Sequence, residues 1–412
     1  MNEASMAAEK AGIRECPETE ESDYILHPAG EIRNRIKRLQ SRMADLTGAI
    51  ILESIDLGYF SGTAQDGFLY VPRDGEPTLM IRKSLERAKE ESPLAVQPQK
   101  SMRTLKDDLH LPCGAKIGLE MDVLPCNNFL RLKRSLGEDV HLRDISESIK
   151  QIRSVKSDFE VGLIRRAAGG LDYAISCVAD HLQEGMREID LAVAVENALR
   201  LSGHSGMVTF RRFNQSLPMG HLMTGAGAAL PSFVSSPTGG RGMSLFSPQG
   251  PGWRRIRRGE PVLVDYAGSF AGYLADETRI FCLGRLPEKL ERAHEASVQI
   301  EQAAAGELMP GRTGRQIFDL CQAEGERLGY SDYLGGPPGR KAGFVGHGLG
   351  LQIDEYPVLG PLDHEIIAGM TVALEPKMIY PGLGVVGIED TYLVVASGAE
   401  RLTLLPQQIW RV

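Results

Sequence analysis

An α/β domain followed by a larger domain of paired helices and β-hairpins is the fold that this 412-residue sequence predicts. Three observations lead there. Over residues 25–148 short apolar runs alternate with segments of helical periodicity. Beyond residue 149 a pair of amphipathic helices precedes a group of strands, and that unit occurs twice. Each group of strands carries a pair of acidic residues within otherwise apolar runs.

Taken in order, residues 1–24 are polar and acidic without periodicity, as expected of a mobile tail. Ile32, Ile36, Leu39 and Met43 recur at helical spacing between Glu31 and Leu46. Gly48–Glu53, Gly67–Val71 and Pro77–Ile81 read as strands, Ser84–Ser92 as a polar helix, Lys116–Glu120 as a strand and Asn127–Leu136 as a helix. This alternation describes a small α/β domain ending near Ile145. It has no Gly-rich phosphate loop and no catalytic constellation, and a structural or subunit-contact role is expected. Within residues 149–412, Asp158–His181 and Glu188–Leu201 are amphipathic helices split by Glu184-Gly-Met-Arg. Leu286–Glu307 and Gly314–Leu328 are another two, split by Met309-Pro-Gly-Arg-Thr. Two such halves closing on one another would bring their strands to a shared midline; alternatively each hairpin belongs to a separate sheet.

The chemistry lies in the strands. Glu260 to Arg279 reads as a hairpin, and a reversal near Phe270 and Ala271 sets Asp265 directly opposite Asp276. Facing carboxylates repel across a strand pair, and a cation between them reverses the sign of that effect. The pattern recurs: with a turn centred on Gly382, Glu375 and Glu389 become cross-strand partners. Between the hairpins, Gly343-Phe-Val-Gly-His347-Gly-Leu-Gly350 reads as a short strand ending on a His inside a Gly-rich turn. One Asp pair alone would fit an ordinary hairpin with a solvated polar face. Two self-paired hairpins plus a Gly-flanked imidazole form an oxygen-rich ligand set with one nitrogen, suited to a pair of divalent ions such as Mn, Co, Fe or Zn.

Composition narrows the partners. Apolar content of 42% and charged content of 24% fit a globular chain long enough for more than one core. A net charge of −8 argues against general nucleic-acid binding, and the basic run Trp253–Arg258 reads as a solvated loop or subunit contact. The six cysteines are scattered with no CxxC pair, which points to reduced thiols and a cytoplasmic protein. No stretch approaches the roughly 20 apolar residues of a membrane span, and no signal peptide is visible.

Several segments resemble the pita-bread metallopeptidases, the group of methionine aminopeptidase, prolidase, Xaa-Pro aminopeptidase and their relative creatinase. They are Val-Asp265, Gly-Tyr-Leu-Ala-Asp276-Glu-Thr-Arg, Gly-His347-Gly-Leu-Gly-Leu, Leu-Glu375-Pro and Ile-Glu389-Asp, in the family's order. The likeness covers roughly residues 150–404. Residues 30–145 resemble the N-terminal domain of the creatinase/prolidase branch, and Ile152–Glu160 resembles that branch's linking segment. The resemblance implies an α/β N-terminal domain joined to an α+β pita-bread catalytic domain, and a homodimer. It implies one metal held by Asp265, Asp276 and Glu389, and another by Asp276, His347, Glu375 and Glu389. A hydroxide between the two ions would attack, with Glu375 shuttling its proton.

Two departures touch the substrate side. Where the family carries a His seven positions after the ligand His, this chain has Asp354, followed by Glu355. A second family His, upstream of the first Asp, aligns with Ser232, and His221 nearby is a candidate to compensate. Asp354, Ser232, His221 and Glu375 are therefore the candidate catalytic residues beside the metal ligands. An ionised Asp354 would make the pocket net negative and favour a substrate with a cationic centre. The expected activity is hydrolysis of small peptides, of Xaa-Pro aminopeptidase or dipeptidase type. The competing readings are a creatinase-like C–N hydrolase or lyase acting on a cationic small molecule, and a binding protein without catalysis.

Overall fold

The computed structural model describes residues 16, 19–20, 24–337 and 339–412. Apart from residues 16, 19, 20 and 24, the tail expected over residues 1–24 lies outside the described residues. Tyr24–Arg153 form one compact unit, and a second is built on Ser154–Val412.

The first unit is a six-stranded mixed sheet of β1 (Gly48–Ile51), β2 (Gly67–Pro72), β3 (Thr78–Ile81), β4 (Ala95–Pro98), β5 (Lys116–Leu119) and β6 (His141–Asp144), in the order β4-β3-β2-β1-β5-β6. Ile50, Phe68, Ile117 and Leu119 are buried on it beneath Leu132 and Leu136 of the helix Cys126–Leu136. The two strands without an apolar signature, β4 and β6, are its half-exposed edges, where no side chain has to be buried.

In the second unit the helices Asp158–Ser176 and Glu188–Leu201 pack together, as do Glu288–Glu307 and Gly314–Arg327. Ser157 with Glu160, and Thr313 with Gln316, close capping boxes at the start of a helix in each pair. The first pair covers β7 (Gly220–Thr224), β8 (Val262–Phe270) and β9 (Tyr273–Cys282). The second covers strands of the group β10 (Gly346–Gly348), β11 (Glu355–Leu359), β12 (Thr371–Leu374), β13 (Lys377–Tyr380), β14 (Gly384–Gly387), β15 (Asp390–Val395) and β16 (Gly398–Arg401). With β17 (Trp410–Arg411), one sheet runs β17-β9-β8-β7, a second β11-β10-β12-β15-β16, and β13 pairs with β14 alone. The two hairpins thus sit in different sheets, yet a bridge between Thr278 and Glu389 joins them.

The register of the first hairpin differs from expectation. Phe270 pairs with Tyr273, so the reversal is Ala271-Gly272, with φ of 47° and 87°. A tight primed turn needs both central residues left-handed, and Gly272 meets that demand without steric cost. Asp265 is consequently opposite Thr278, and Asp276 opposite Ala267. The two acids are diagonal neighbours and not a direct pair. A shift of two residues preserves the face of the sheet, so both still point the same way. In the second hairpin the expected register holds: Lys377 pairs with Gly387 and Leu374 with Asp390, which leaves Glu375 facing Glu389.

Behind these acids, Arg279 fastens the two halves. Its guanidinium is fully buried, 2.7 Å from each of Asp390 Oδ1, Glu277 Oε1 and the Leu405 carbonyl, and it donates to the Glu389 carbonyl at 2.9 Å. Removing one member of a buried ionic group leaves the others uncompensated. Arg279→Met should therefore destabilise the protein by about 3–5 kcal/mol in urea unfolding. Arg165→Met, which breaks a half-exposed pair with Glu400, should cost under about 1 kcal/mol. Equal midpoint shifts for the two variants would contradict this account.

Candidate metal centre

Asp265, Asp276, His347, Glu375 and Glu389 line one cleft of the second unit. Asp265 sits mid-strand in β8 and Asp276 mid-strand in β9. Glu375 and Glu389 occupy the breaks between β12 and β13 and between β14 and β15. Pro376 explains the first break, because it has no N–H to continue a ladder. His347 was expected at the end of a strand; it is the middle residue of β10, flanked by β11 and β12. A side chain on Gly346 or Gly348 would run into the carbonyl oxygens of Ala373 and Tyr356, so glycine on both sides is what lets β10 lie this close to its neighbours.

From His347 Nε2, Asp276 Oδ2 is 3.8 Å away, Glu375 Oε1 3.6 Å and Glu389 Oε1 3.8 Å. These separations are too long for hydrogen bonds. They suit donors disposed around a common centre, since tetrahedral ligands about 2.0–2.2 Å from an ion stand about 3.5 Å apart. One divalent cation fits this seat.

The second seat holds a residue that reasoning from the sequence missed. Lys377 Nζ lies 2.8 Å from Asp265 Oδ2, 2.9 Å from Glu375 Oε2 and 2.7 Å from Glu389 Oε2, with its side chain 1% exposed. The signal was available: Lys377 stands two residues after Glu375 and directly before the apolar run Met378-Ile-Tyr380, where a lysine is out of place unless it meets a counter-charge. Glu375 and Glu389 therefore each offer one oxygen to Lys377 and the other toward His347.

One ammonium does not balance four buried carboxylates. For Asp265, burial is outweighed by the neighbouring Lys377 and His221, and its carboxyl is held well below the usual range. Asp276, which none of Lys377's short contacts reaches, is pushed well above it by burial and by the charges of Glu389 and Asp265. Burial also raises Glu375, and lifts Glu389 to about 7, against the pull of Lys377. Ionisation is thus least compensated on the side of Asp276 and His347, where a cation would favour it.

The candidate substrate residues separate. His221, on β7 opposite Asp265, lines the cleft: its Nε2 is 2.9 Å from Asp265 Oδ2 and 3.0 Å from Thr238 Oγ1, and its Nδ1 is 2.8 Å from Gln249 Nε2. The ring is thereby held on both nitrogens, by Asp265 and Thr238 on one side and Gln249 on the other. Ser232 does not line this cleft; its hydroxyl donates to the Pro248 carbonyl at 2.9 Å. Asp354 does line it, and accepts from the Arg211 N–H at 2.8 Å with Arg212 Nε at 3.2 Å. Its charge is thus met by the chain's own Arg212, also in the cleft, and Asp354 adds no net negative charge to the pocket. Glu355 points elsewhere, taking Lys156 Nζ at 3.0 Å and the Leu351 N–H at 3.0 Å, and so steadies the loop that follows His347. Val208, Phe210, Leu217, Val234, Phe344 and Ile353 give the cleft apolar walls.

The profile of Metallopeptidase family M24 matches residues 162–396, and that of the Creatinase/Prolidase N-terminal domain matches residues 35–155. The chain is 28% identical over 383 residues to an Xaa-Pro dipeptidase of Pyrococcus furiosus, covering 92% of this chain and all of that protein. The solved prolidase from Pyrococcus furiosus superposes with a TM-score of 0.73 at 26% identity, over 89% of this chain and 98% of that one. An Xaa-Pro dipeptidase from Bacillus anthracis shares the fold at a TM-score of 0.79 and 22% identity, over 92% of this chain and all of that one.

A cation that binds only the folded chain stabilises it by mass action, by about 2.7 kcal/mol at a hundredfold excess over Kd. Mn or Co should accordingly raise the melting temperature of the wild-type protein, and EDTA should reverse the rise. Asp276→Ala and His347→Ala should abolish the shift, while Ser232→Ala should keep it in full. A shift that survives in the Asp276 and His347 variants would place the cation elsewhere.

Proposed function

Because the chain belongs to metallopeptidase family M24, we propose that it is a metal-dependent peptidase of short peptides, with Xaa-Pro dipeptides as its preferred substrates. The observation that carries this reading is the convergence of Asp276, His347, Glu375 and Glu389 in a cleft with apolar walls. When bound there, a divalent ion (Mn, Co, Fe or Zn) would polarise a scissile carbonyl and activate a water. The remaining work falls to the chain. Glu375, whose Oε1 faces the same seat, would hold the proton given up by that water and deliver it to the leaving nitrogen. His221, fixed between Asp265, Thr238 and Gln249, presents a rigid wall beside the reacting atoms. The apolar walls exclude water and accept a prolyl ring.

Arg212 favours the dipeptide over longer peptides. It lines the cleft half-exposed, and its guanidinium is the complement of a free C-terminal carboxylate. Asp354 orients Arg212 and is a positioning residue. With the charge of Asp354 met by Arg212, Asp354 no longer argues for a cationic non-peptide substrate. The proposal extends to a homodimer, as the resemblance implied, and to the cytoplasm, in keeping with six cysteines that form no disulfide.

Metal-loaded protein should hydrolyse Xaa-Pro dipeptides faster than their C-terminal amides. Arg212→Ala should raise KM for the dipeptide tenfold or more, equivalent to about 1.4 kcal/mol, and leave the amide unchanged. Circular dichroism would confirm that the variant is folded. Absence of turnover on every dipeptide with each of the four metals would refute the peptidase reading. Equal effects of Arg212→Ala on acid and amide would refute the carboxylate contact alone.

A further inference from the structure

We propose that the ammonium of Lys377 permanently fills one of the two cation seats of this centre, so that the working site holds one divalent ion and one lysine. The inference rests on the metallopeptidase reading and departs from it in the number of ions.

The two seats are distinct on the page. One is bounded by Asp276 Oδ2, His347 Nε2, Glu375 Oε1 and Glu389 Oε1. The other is bounded by Asp265 Oδ2, Glu375 Oε2 and Glu389 Oε2. Glu375 and Glu389 bridge the seats through opposite oxygens, the arrangement expected of carboxylates shared by two cations. Lys377 Nζ occupies the second seat at hydrogen-bonding distance from all three oxygens, and a metal ion in the same volume would overlap it. A further hydrogen bond, from Thr278 Oγ1 at 2.9 Å, helps fix Glu389 Oε2 in this seat.

The lysine has a built place rather than a chance one. It pairs across β13 and β14 with Gly387, where a Cβ would stand 2.7 Å from the Lys377 Cα and 3.1 Å from its Cγ. The absent side chain is the room through which the Lys377 stem passes. With 1% of the side chain exposed, moving the ammonium out would leave three carboxylate oxygens in a dry site to find another cation. A protein that carries this cation covalently needs no second ion to neutralise Asp265, and it loses no part of it to a chelator.

Ion counting tests this independently of turnover. The full chain, loaded with excess Mn and freed of loosely bound metal, should contain one Mn per chain by elemental analysis. Its electron paramagnetic resonance should show an isolated Mn(II) ion without exchange coupling. Lys377→Ala opens the second seat and should take up two Mn per chain, with an exchange-coupled spectrum. Asp265→Ala removes one wall of the lysine seat and a partner of His221 but none of the four groups that bound the other seat, and should keep one ion. Two ions in the wild-type protein, none at all, or a single ion in folded Lys377→Ala would each overturn the inference. If Lys377→Ala fails to fold, the wild-type count and spectrum and the Asp265→Ala count decide. Dipeptide hydrolysis on the same samples separates the two ideas. One-ion protein without turnover sinks the peptidase reading and leaves the lysine seat standing; active two-ion protein does the reverse.

Discussion

Four carboxylates drawn together out of water are the constraint on which the second unit is organised. Left alone, Asp265, Asp276, Glu375 and Glu389 would repel one another in a medium that screens poorly, and no hydrophobic burial nearby relieves that. Each surrounding feature answers it with positive charge or with donors. Lys377 supplies a full charge to three of the acids, His221 and Thr278 supply hydrogen bonds to Asp265 and Glu389, and His347 faces the remaining oxygens. One layer further back, Arg279 repeats the solution for Glu277 and Asp390, and ties the main chain at Glu389 to β9. Lys377 and Arg279 thus form two layers of fixed positive charge that hold the acids in place.

Much of this was legible in the sequence because it depends on periodicity and on local turn chemistry. The helix pairs show themselves through apolar residues at helical spacing, and the turn at Gly382 set the register of the second hairpin to the residue. Asp265 and Asp276 still line the same cleft although the register differs from expectation, because a shift of two residues leaves a strand's faces unchanged. Ala271 could not be recognised as a left-handed turn residue, since a residue with a Cβ seldom takes that conformation. Strands β4, β6 and β17 were invisible for a different reason: they are short, and β4 and β6 are edges that bury little.

The long-range pairings were the part that no local pattern carries. Asp354 read alone is a fifth negative charge in the pocket, and that reading pointed toward a cationic substrate. Arg212 stands far from it in sequence, and only the fold shows that the two charges meet. Ser232 illustrates the same limit. Alignment by motif order assigned it a place near the chemistry, but its hydroxyl is spent on the Pro248 carbonyl, while His221 reaches the site because β7 pairs with β8.

Lys377 joins these threads. In a search for metal ligands a lysine is passed over, because an ammonium has no lone pair to donate. Yet Lys377 opens β13 two residues after Glu375, and across the break between them both side chains reach the same carboxylate cluster. Pro376 between them interrupts the ladder, and Gly387 opposite leaves the space that a long side chain needs. Three adjacent positions therefore encode a ligand, a break and a counter-charge. In the first half of the duplication the corresponding hairpin is continuous from β8 into β9 and carries, besides its acids, the buried Arg279. Each half thus brings acids together with one buried cation: Lys377 meets the carboxylates that face the cleft, and Arg279 behind them ties β9 to the main chain at Glu389.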